Sequence, residues 1–364
     1  MARAGEEGGI DASELTLAVP AHRLPALERI ADALRGAASI ALTTHVNADG
    51  DGAGCEAALA SWLARLGRKV AIVNPTPFPE VYRHLVEEPA WIVDPGTVRT
   101  PVALQGVDLL VVVDTSERSR IGRVAAAARG IDTVVIDHHL PSEEPIEGRV
   151  VQDERACATG ELVYDLLVVA GVERPWPGPV ARGVYTAVLT DTGSFRFANT
   201  TARAHAIAGD LLAQGVDPES VYRRVYASVP LGRMRLLARA LDRLEVDPRY
   251  PITWITLERA AMEATGAGSE DLDGIVEQAR TVEGTEVAIL FRETADGGTK
   301  VSLRSAGATN VNAIARRFGG GGHRKASGAL IAAPLKEVVP LVLAAARAAL
   351  EADGAGFPAP RAGV

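Results

Sequence analysis

Imidazole and carboxylate side chains gather at the ends of apolar runs in this 364-residue chain. His45, Asp49 and Asp51 follow SIALT, Asp114 follows DLLVVV, Asp137, His138 and His139 follow TVVI, and Asp191 follows VYTAVLT. In an open α/β sheet the carboxyl ends of the strands form the crevice where ligands bind, so residues distant in sequence converge there. Carboxylates gathered in this way repel by about 4 kcal/mol per pair at about 4 Å and an effective dielectric of about 20, so the group stays ionised only beside cations. Oxygen ligands with one or two imidazoles suit a hard or borderline ion such as Mn²⁺ and are too rich in carboxylate for a structural zinc site. Four aspartates balance two divalent charges, and two ions about 3.5–4 Å apart can activate water and stabilise the leaving oxygen of an in-line phosphoryl displacement. A single Asp after a strand more often caps a helix or closes a turn. The set reads differently, because HVNADGD puts three of these groups within seven residues and an acid followed by paired histidines ends a hydrophobic run. Asp191 is open to a second placement, at the close of a helix.

A second group lies towards the other end of the chain. GGGGHRKASG removes side chains over four residues and lets backbone N–H groups approach a phosphate or a base edge, with His323, Arg324 and Lys325 placing donors directly afterwards. A helix C-cap followed by a loose loop would need fewer glycines. Gly320, Gly321, Gly322 and His323 are therefore expected to contact substrate. Phe195 and Phe197 flank Arg196 just after Asp191, where a ring could stack on a base, although alternating aromatics also serve as core. Arg118 and Arg120 suit phosphate neutralisation and plain solvation equally. Cys55 reads as a small buried residue at a helix start rather than a nucleophile.

Positioning these residues requires strands and helices in alternation. SIALTTH, RKVAIV, DLLVVVD and TVVIDHH read as strands, LPALERIADALRG as a helix from Leu24, and GAGCEAALASWLARLG as a helix ending at Gly67. This is the pattern of a parallel sheet covered by helices. The run from Thr200 through LARALDRLEV reads as two or three bridging helices. A second α/β pattern starts near Pro251, with ITWITL, EVAILFRE and KVSLRSA as strands, VNAIARRFGG as a helix and its end, and LKEVVPLVLAAARAALEA as a closing helix. The first 20 residues and the last, DGAGFPAPRAGV, read as loose ends.

Composition bounds the function. Apolar residues make up 47% and charged residues 23%, enough to bury a sizeable core, and 364 residues fit two domains, with a cleft between them, better than one. Two cysteines form no disulfide framework and belong to no Cys-x-x-Cys pair, which implies a reducing compartment. The first residues carry acids and no continuous apolar stretch, so neither a secretory signal nor a spanning helix is expected, and the protein is expected in the cytoplasm, away from membranes. A net charge of −8 argues against binding long duplex nucleic acid and leaves short anionic substrates allowed.

THVNADGDGAG, VVVDTSERSRIG, VIDHH and LTDTGSFRF, in that order, resemble the four motifs of the DHH phosphoesterase superfamily, and GGGGHRKASG is similar to a motif of its DHH-associated C-terminal domain. From about residue 25 to about 350 the chain resembles the bifunctional oligoribonuclease and phosphoadenosine-phosphate phosphatase branch, the nanoRNases. The resemblance implies a DHH catalytic domain over 23–215 after a flexible start (1–22), a helical linker (216–249), a smaller substrate-binding domain (250–352) and a flexible tail (353–364). It implies that His45, Asp49 and Asp114 hold one Mn²⁺ and that Asp51, Asp114, His138 and Asp191 hold another, with Asp114 bridging and Mg²⁺ or Co²⁺ as substitutes. A water between the ions would be the nucleophile, His139 would contact the substrate phosphate, and Asp137 would support the ligands from behind. Arg304, Asn310 and His323 would contact the nucleotide. The implied activity is hydrolysis of short RNA oligonucleotides to mononucleotides, together with removal of phosphate from 3′-phosphoadenosine 5′-phosphate. A linear or cyclic dinucleotide phosphodiesterase needs the same ions, and a non-catalytic nucleotide sensor is the rival of another class. The implied partners are short RNA and small nucleotides, and a homodimer is compatible with the pattern. Ala48 stands where many relatives have Pro and Cys55 where many have Ser; neither is an expected ligand.

Overall fold

Pro25 in the first turn and the apolar stripe Leu27, Ile30, Ala31 and Leu34 set α1 (Leu24–Gly36) in the computed structural model, which describes residues 17–142, 144–266, 272, 274–322 and 324–352. Five strands follow in one parallel sheet: β1 (Ser39–Thr43), β2 (Lys69–Ile72), β3 (Leu109–Val113), β4 (Asp132–Asp137) and β5 (Arg149–Gln152), ordered β2-β1-β3-β4-β5. The three central strands are almost wholly buried, as near-continuous apolar runs require when both faces are covered. Their carboxyl ends lie level, with Thr43 opposite Val112 and Val113 opposite Ile136. The strand β5 was not expected; RVVQ is short, follows Pro- and Glu-rich residues, and lies at the sheet edge.

The covering helices are α2 (Gly50–Arg65), α3 (Thr100–Ala103), α4 (Gly122–Ala127), α5 (Thr159–Val169), α6 (Gly178–Asp191), α7 (Ala202–Ala213) and α8 (Pro218–Tyr226). The helices α2 and α6 cross at Gly54 and Gly183, where a Cβ on either would lie 2.5 or 2.6 Å from the other's carbonyl oxygen. Only glycine permits that approach, and it brings the first turn of α2 beside the last turn of α6.

The chain forms two compact units, residues 1–227 and 228–364. The stretch expected as a bridge divides between them: α8 belongs to the first, while α9 (Leu231–Leu241) packs on the second sheet. That sheet comprises β6 (Leu244–Val246), β7 (Ile252–Leu257), β8 (Val287–Glu293), β9 (Thr299–Ser305), β10 (Gly321–Gly322) and β11 (Ala326–Ile331), ordered β10-β11-β9-β8-β7-β6. Only β7 and β8 run parallel; the other pairs are antiparallel. Of α10 (Arg259–Glu263), α11 (Ile275–Arg280), α12 (Val311–Arg316) and α13 (Leu335–Ala352), α12 and α13 share one apolar cluster with the sheet, and α11 joins α9 in another. Most of the expected loose start and all of the expected tail lie outside the described residues. Among the described residues no helix is long and apolar enough to cross a membrane.

Candidate metal centre

The loop after β1 begins the site. His45 Nδ1 donates to the Val46 carbonyl at 2.9 Å, which leaves the lone pair on Nε2. Asp49 is the N-cap of α2, its Oδ1 accepting from the Asp51 and Gly52 amides at 3.0 and 3.2 Å, while Oδ2 lies 3.7 Å from His45 Nε2. Capping and facing the site are thus divided between the two oxygens of one carboxylate. Asp51, in the first turn of α2, is buried, and both its oxygens accept amides from the start of α5, Thr159 at 2.7 Å and Gly160 at 2.9 Å.

Asp114 follows β3 with φ +61°, a left-handed conformation that costs a non-glycine residue about 1 kcal/mol or more. It stands at the centre of the group: Oδ2 lies 3.2 Å from His45 Nε2, and Oδ1 lies 3.7 Å from His138 Nε2. His138 donates Nδ1–H to the Ala156 carbonyl at 3.3 Å, so its Nε2 also presents a lone pair, 3.8 Å from Asp51 and 3.7 Å from Asp191. Asp191 closes α6, the second of the two placements its sequence allowed. His45, Asp49 and Asp114 form one set of convergent ligand atoms, Asp51, His138 and Asp191 another, and Asp114, His138 and His139 a third.

The Nε2 atoms of His45 and His138 are buried and make no hydrogen bond, though each faces carboxylate oxygens. Lone pairs aimed at lone pairs repel, and only a shared proton or a cation relieves them. The titration behaviour expresses the same strain. Burial opposes charge on His45, yet the facing Asp114 and Asp49 carboxylates and the Val46 carbonyl push it up to about 10. Burial and the neighbouring Asp114, Asp191 and Asp49 charges push Asp51 well up. Asp191 is raised to about 6, chiefly by burial, with His138 working the other way. A donor set of imidazole nitrogens and carboxylates under mutual repulsion fits divalent cations.

Asp137, the last residue of β4, accepts from both the backbone N–H and Nδ1 of His139, at 3.1 and 2.8 Å. That hydrogen bond, against some loss from burial, raises the His139 pKa. The ring borders a cavity of about 570 Å³ lined also by Ser116, Ser119 and Arg120. Sequence reasoning missed Thr159, whose hydroxyl donates to Asp114 Oδ1 at 3.0 Å, and Asn199, whose amide donates to Asp191 Oδ2 at 3.0 Å and to the Cys157 carbonyl at 2.8 Å. Each is a lone polar residue outside the acidic motifs, and only the Thr-Gly step opening an apolar helix hinted at Thr159.

The other expected contacts lie in the second unit. Arg304 sits on β9, its Nε donating to Glu277 at 2.7 Å, and pairs in register with Ala326 of β11. Asn310 caps α12, accepting from the Asn312 and Ala313 amides. The glycine run is not a loose loop: Gly320 abuts the Gly328 carbonyl, where a Cβ would lie 2.2 Å away, and Gly321 and Gly322 pair with β11 as a short strand. Val311 N–H donates to the Arg324 carbonyl, and Asn312 donates to the Gly322 carbonyl, so these residues gather round the start of α12. His323 lies outside the described residues. Phe195 packs on His205 and against the core, so of the two phenylalanines Phe197 is the exposed one.

Comparison with known proteins yields two family matches, the N-terminal domain of the DHH family over residues 39–189 and the DHHA1 domain over 258–352. The chain is 34% identical over 294 residues to the bifunctional oligoribonuclease and PAP phosphatase NrnA of Thermus thermophilus, covering 80% of this chain and 84% of that one. It is 30% identical over 222 residues to the cyclic-di-AMP phosphodiesterase GdpP of Geobacillus thermodenitrificans, covering 59% of this chain and 32% of that one. The fold matches an exopolyphosphatase-related protein of Bacteroides fragilis with a TM-score of 0.82 at 24% identity, over 90% of this chain and 96% of that one.

Proposed function

Because the chain belongs to the DHH family, with a DHH N-terminal domain followed by a DHHA1 domain, we propose that it is a divalent-metal-dependent phosphoesterase acting on short oligoribonucleotides and on phosphoadenosine phosphate. The observation that carries this reading is the convergence of the buried imidazole lone pairs of His45, after β1, and His138, after β4, on carboxylates from the start of α2, the end of β3 and the end of α6, around Asp114. His45, Asp49 and Asp114 would hold one ion, and Asp51, Asp114, His138 and Asp191 the other. When bound, two such ions, Mn²⁺ by preference, supply the charge that activates water and steadies the leaving oxygen.

The remaining steps belong to the side chains. Asp114 turns one oxygen to each half of the site and thereby fixes their separation. Asp51, held on both oxygens by the α5 amides, keeps a single orientation. His139 has Nδ1–H on Asp137, and its raised pKa favours a second proton on Nε2, which can be donated to a phosphate oxygen from the cavity wall. Arg304, Asn310, His323 and Gly320–Gly322 are proposed to take the nucleotide end.

The reading is tested by comparing turnover of an RNA dinucleotide, phosphoadenosine phosphate, a long RNA and cyclic di-AMP, each with Mn²⁺ and with chelator. Metal-dependent turnover of the first two is expected, and a preference for long RNA would overturn it. Turnover of the cyclic substrate alone would favour the activity that the name of the Geobacillus relative describes.

A further inference from the structure

Three tyrosines of the first unit interact in succession, Tyr222 with Tyr226 and Tyr226 with Tyr82, and the proposed function does not use this row. Tyr222 and Tyr226 stand one helical turn apart on α8, with ring centroids 5.1 Å apart and an interplanar angle of 48°. They are 49% and 41% exposed, although α8 buries only Val221 and has no need of aromatic rings for its own packing. Burial raises the Tyr226 phenol, and the Ser194 hydroxyl and the charges of Arg196 and Asp191 act on it. Tyr82 feels the charges of both Asp49 and Tyr226. The row thus has Tyr82 and Tyr226 within reach of the charges of the acidic site, and Tyr222 and Tyr226 open to solvent.

Its base is a strained turn. Ser194 and Phe195 have φ +59° and +63°, directly after Asp191 and Gly193, at about 1 kcal/mol or more each. The Ser194 hydroxyl of this turn acts on the Tyr226 phenol, which places Tyr226 near the residues that follow Asp191. Arginines accompany the rings: Arg223 and Arg224 occupy the last turn of α8, and Arg196 acts on Tyr226. Aromatic faces interleaved with guanidinium groups are what a single strand of nucleic acid requires, the rings stacking bases and the cations taking phosphates.

Resting on the proposed function, we infer that Tyr226 and Tyr222 form a stacking subsite for the bases of a short RNA strand beyond the phosphate held at the metal centre. Two rings accommodate two such bases. A trinucleotide gains from both, and phosphoadenosine phosphate, with one base, gains from neither. The row thus favours a few nucleotides over one without selecting their identity, since every base has a stackable face.

The test uses the full chain with Mn²⁺, RNA trinucleotides carrying 2-aminopurine at successive positions, and phosphoadenosine phosphate. Tyr226→Ala is expected to raise KM for the trinucleotide on the order of ten-fold with kcat unchanged and to leave phosphoadenosine phosphate hydrolysis as it was. Tyr226→Phe should restore the wild-type value because it keeps the ring. On rapid mixing, wild type should quench 2-aminopurine emission before turnover, and Tyr222→Ala/Tyr226→Ala should not, with unchanged thermal melting. Equal losses on both substrates, or an unchanged trinucleotide KM in the double variant, would overturn the inference. Should wild type turn over neither substrate, the proposed function fails, and the emission decides the subsite separately: quenching lost in the double variant sustains it, and no quenching refutes it.

Discussion

Asp114 shows how much of the site one residue carries. Its left-handed backbone aims one carboxylate at two imidazoles on different strands, and the Thr159 hydroxyl pins the oxygen that faces His138. Thr159→Val should lower Mn²⁺ affinity or turnover about 10–100-fold with little loss of stability, measured by calorimetric titration, whereas Thr159→Ser should stay near wild type. Buried Glu56 offers a second test at this scale. Its Oε2 accepts from Asn74 at 3.0 Å, its Oε1 has no hydrogen-bond partner, and burial first of all raises it to about 8. The folded state then keeps a proton that the unfolded chain releases near an ordinary Glu pKa, so stability falls as pH rises through that interval and levels off above about 8. In metal-free protein Glu56→Gln should make that slope shallower, leaving the share of the raised Asp51 and Asp191, and be the more stable form at pH 9, by roughly 1 kcal/mol or more in urea melts. The acids and histidines of the site were legible because their types are unusual after apolar strands. Thr159, Asn199 and Glu56 were not, because each acts through one or two hydrogen bonds that leave no periodic trace.

At the scale of elements, the start of α5 is the part that others hold still. Arg23, just before α1, is buried and reaches Asp153 at 2.8 Å, Glu161 at 2.7 Å and Asp165 at 2.8 Å, while Arg203 of α7 binds the same Glu161 and Asp165. This cluster ties α1, α5 and α7 together behind the two amides that orient Asp51. Arg23→Met leaves buried carboxylates short of a partner and should cost about 3–5 kcal/mol in denaturant melts, weakening Mn²⁺ binding at the same time. A variant with unchanged stability would show that the carboxylates find other partners. The long strands and helices were readable because apolar runs and helical stripes persist over many residues. β5, β6, β10 and β11 were not, being short or glycine-rich and defined by pairing rather than pattern. The glycine run illustrates the difference: the sequence reads it as backbone left open to a phosphate or a base edge, and its pairing as a short strand with β11, with Gly320 against Gly328, leaves no trace in the pattern.

Across the whole molecule, each unit encloses apolar clusters of its own, and every proposed metal ligand lies in the first. The two-domain organisation could be read from chain length and from the second run of strands after Pro251. The division at residue 227 could not, since α8 and α9 look alike in sequence and differ only in which sheet they cover. Residues 1–227 alone should fold cooperatively and bind Mn²⁺ with near-native affinity, yet lose turnover of nucleotides, checked by calorimetry and product assay. The central claim, a metal-dependent phosphoesterase organised about Asp114, is tested most directly by release of mononucleotide from a 5′-labelled RNA dinucleotide, for wild type and Asp114→Ala, with Mn²⁺ and with chelator. Turnover that needs the metal and disappears in the variant, with its fold intact, is the expected result; turnover surviving either change, or Mn²⁺ bound without hydrolysis of this substrate or phosphoadenosine phosphate, would contradict it.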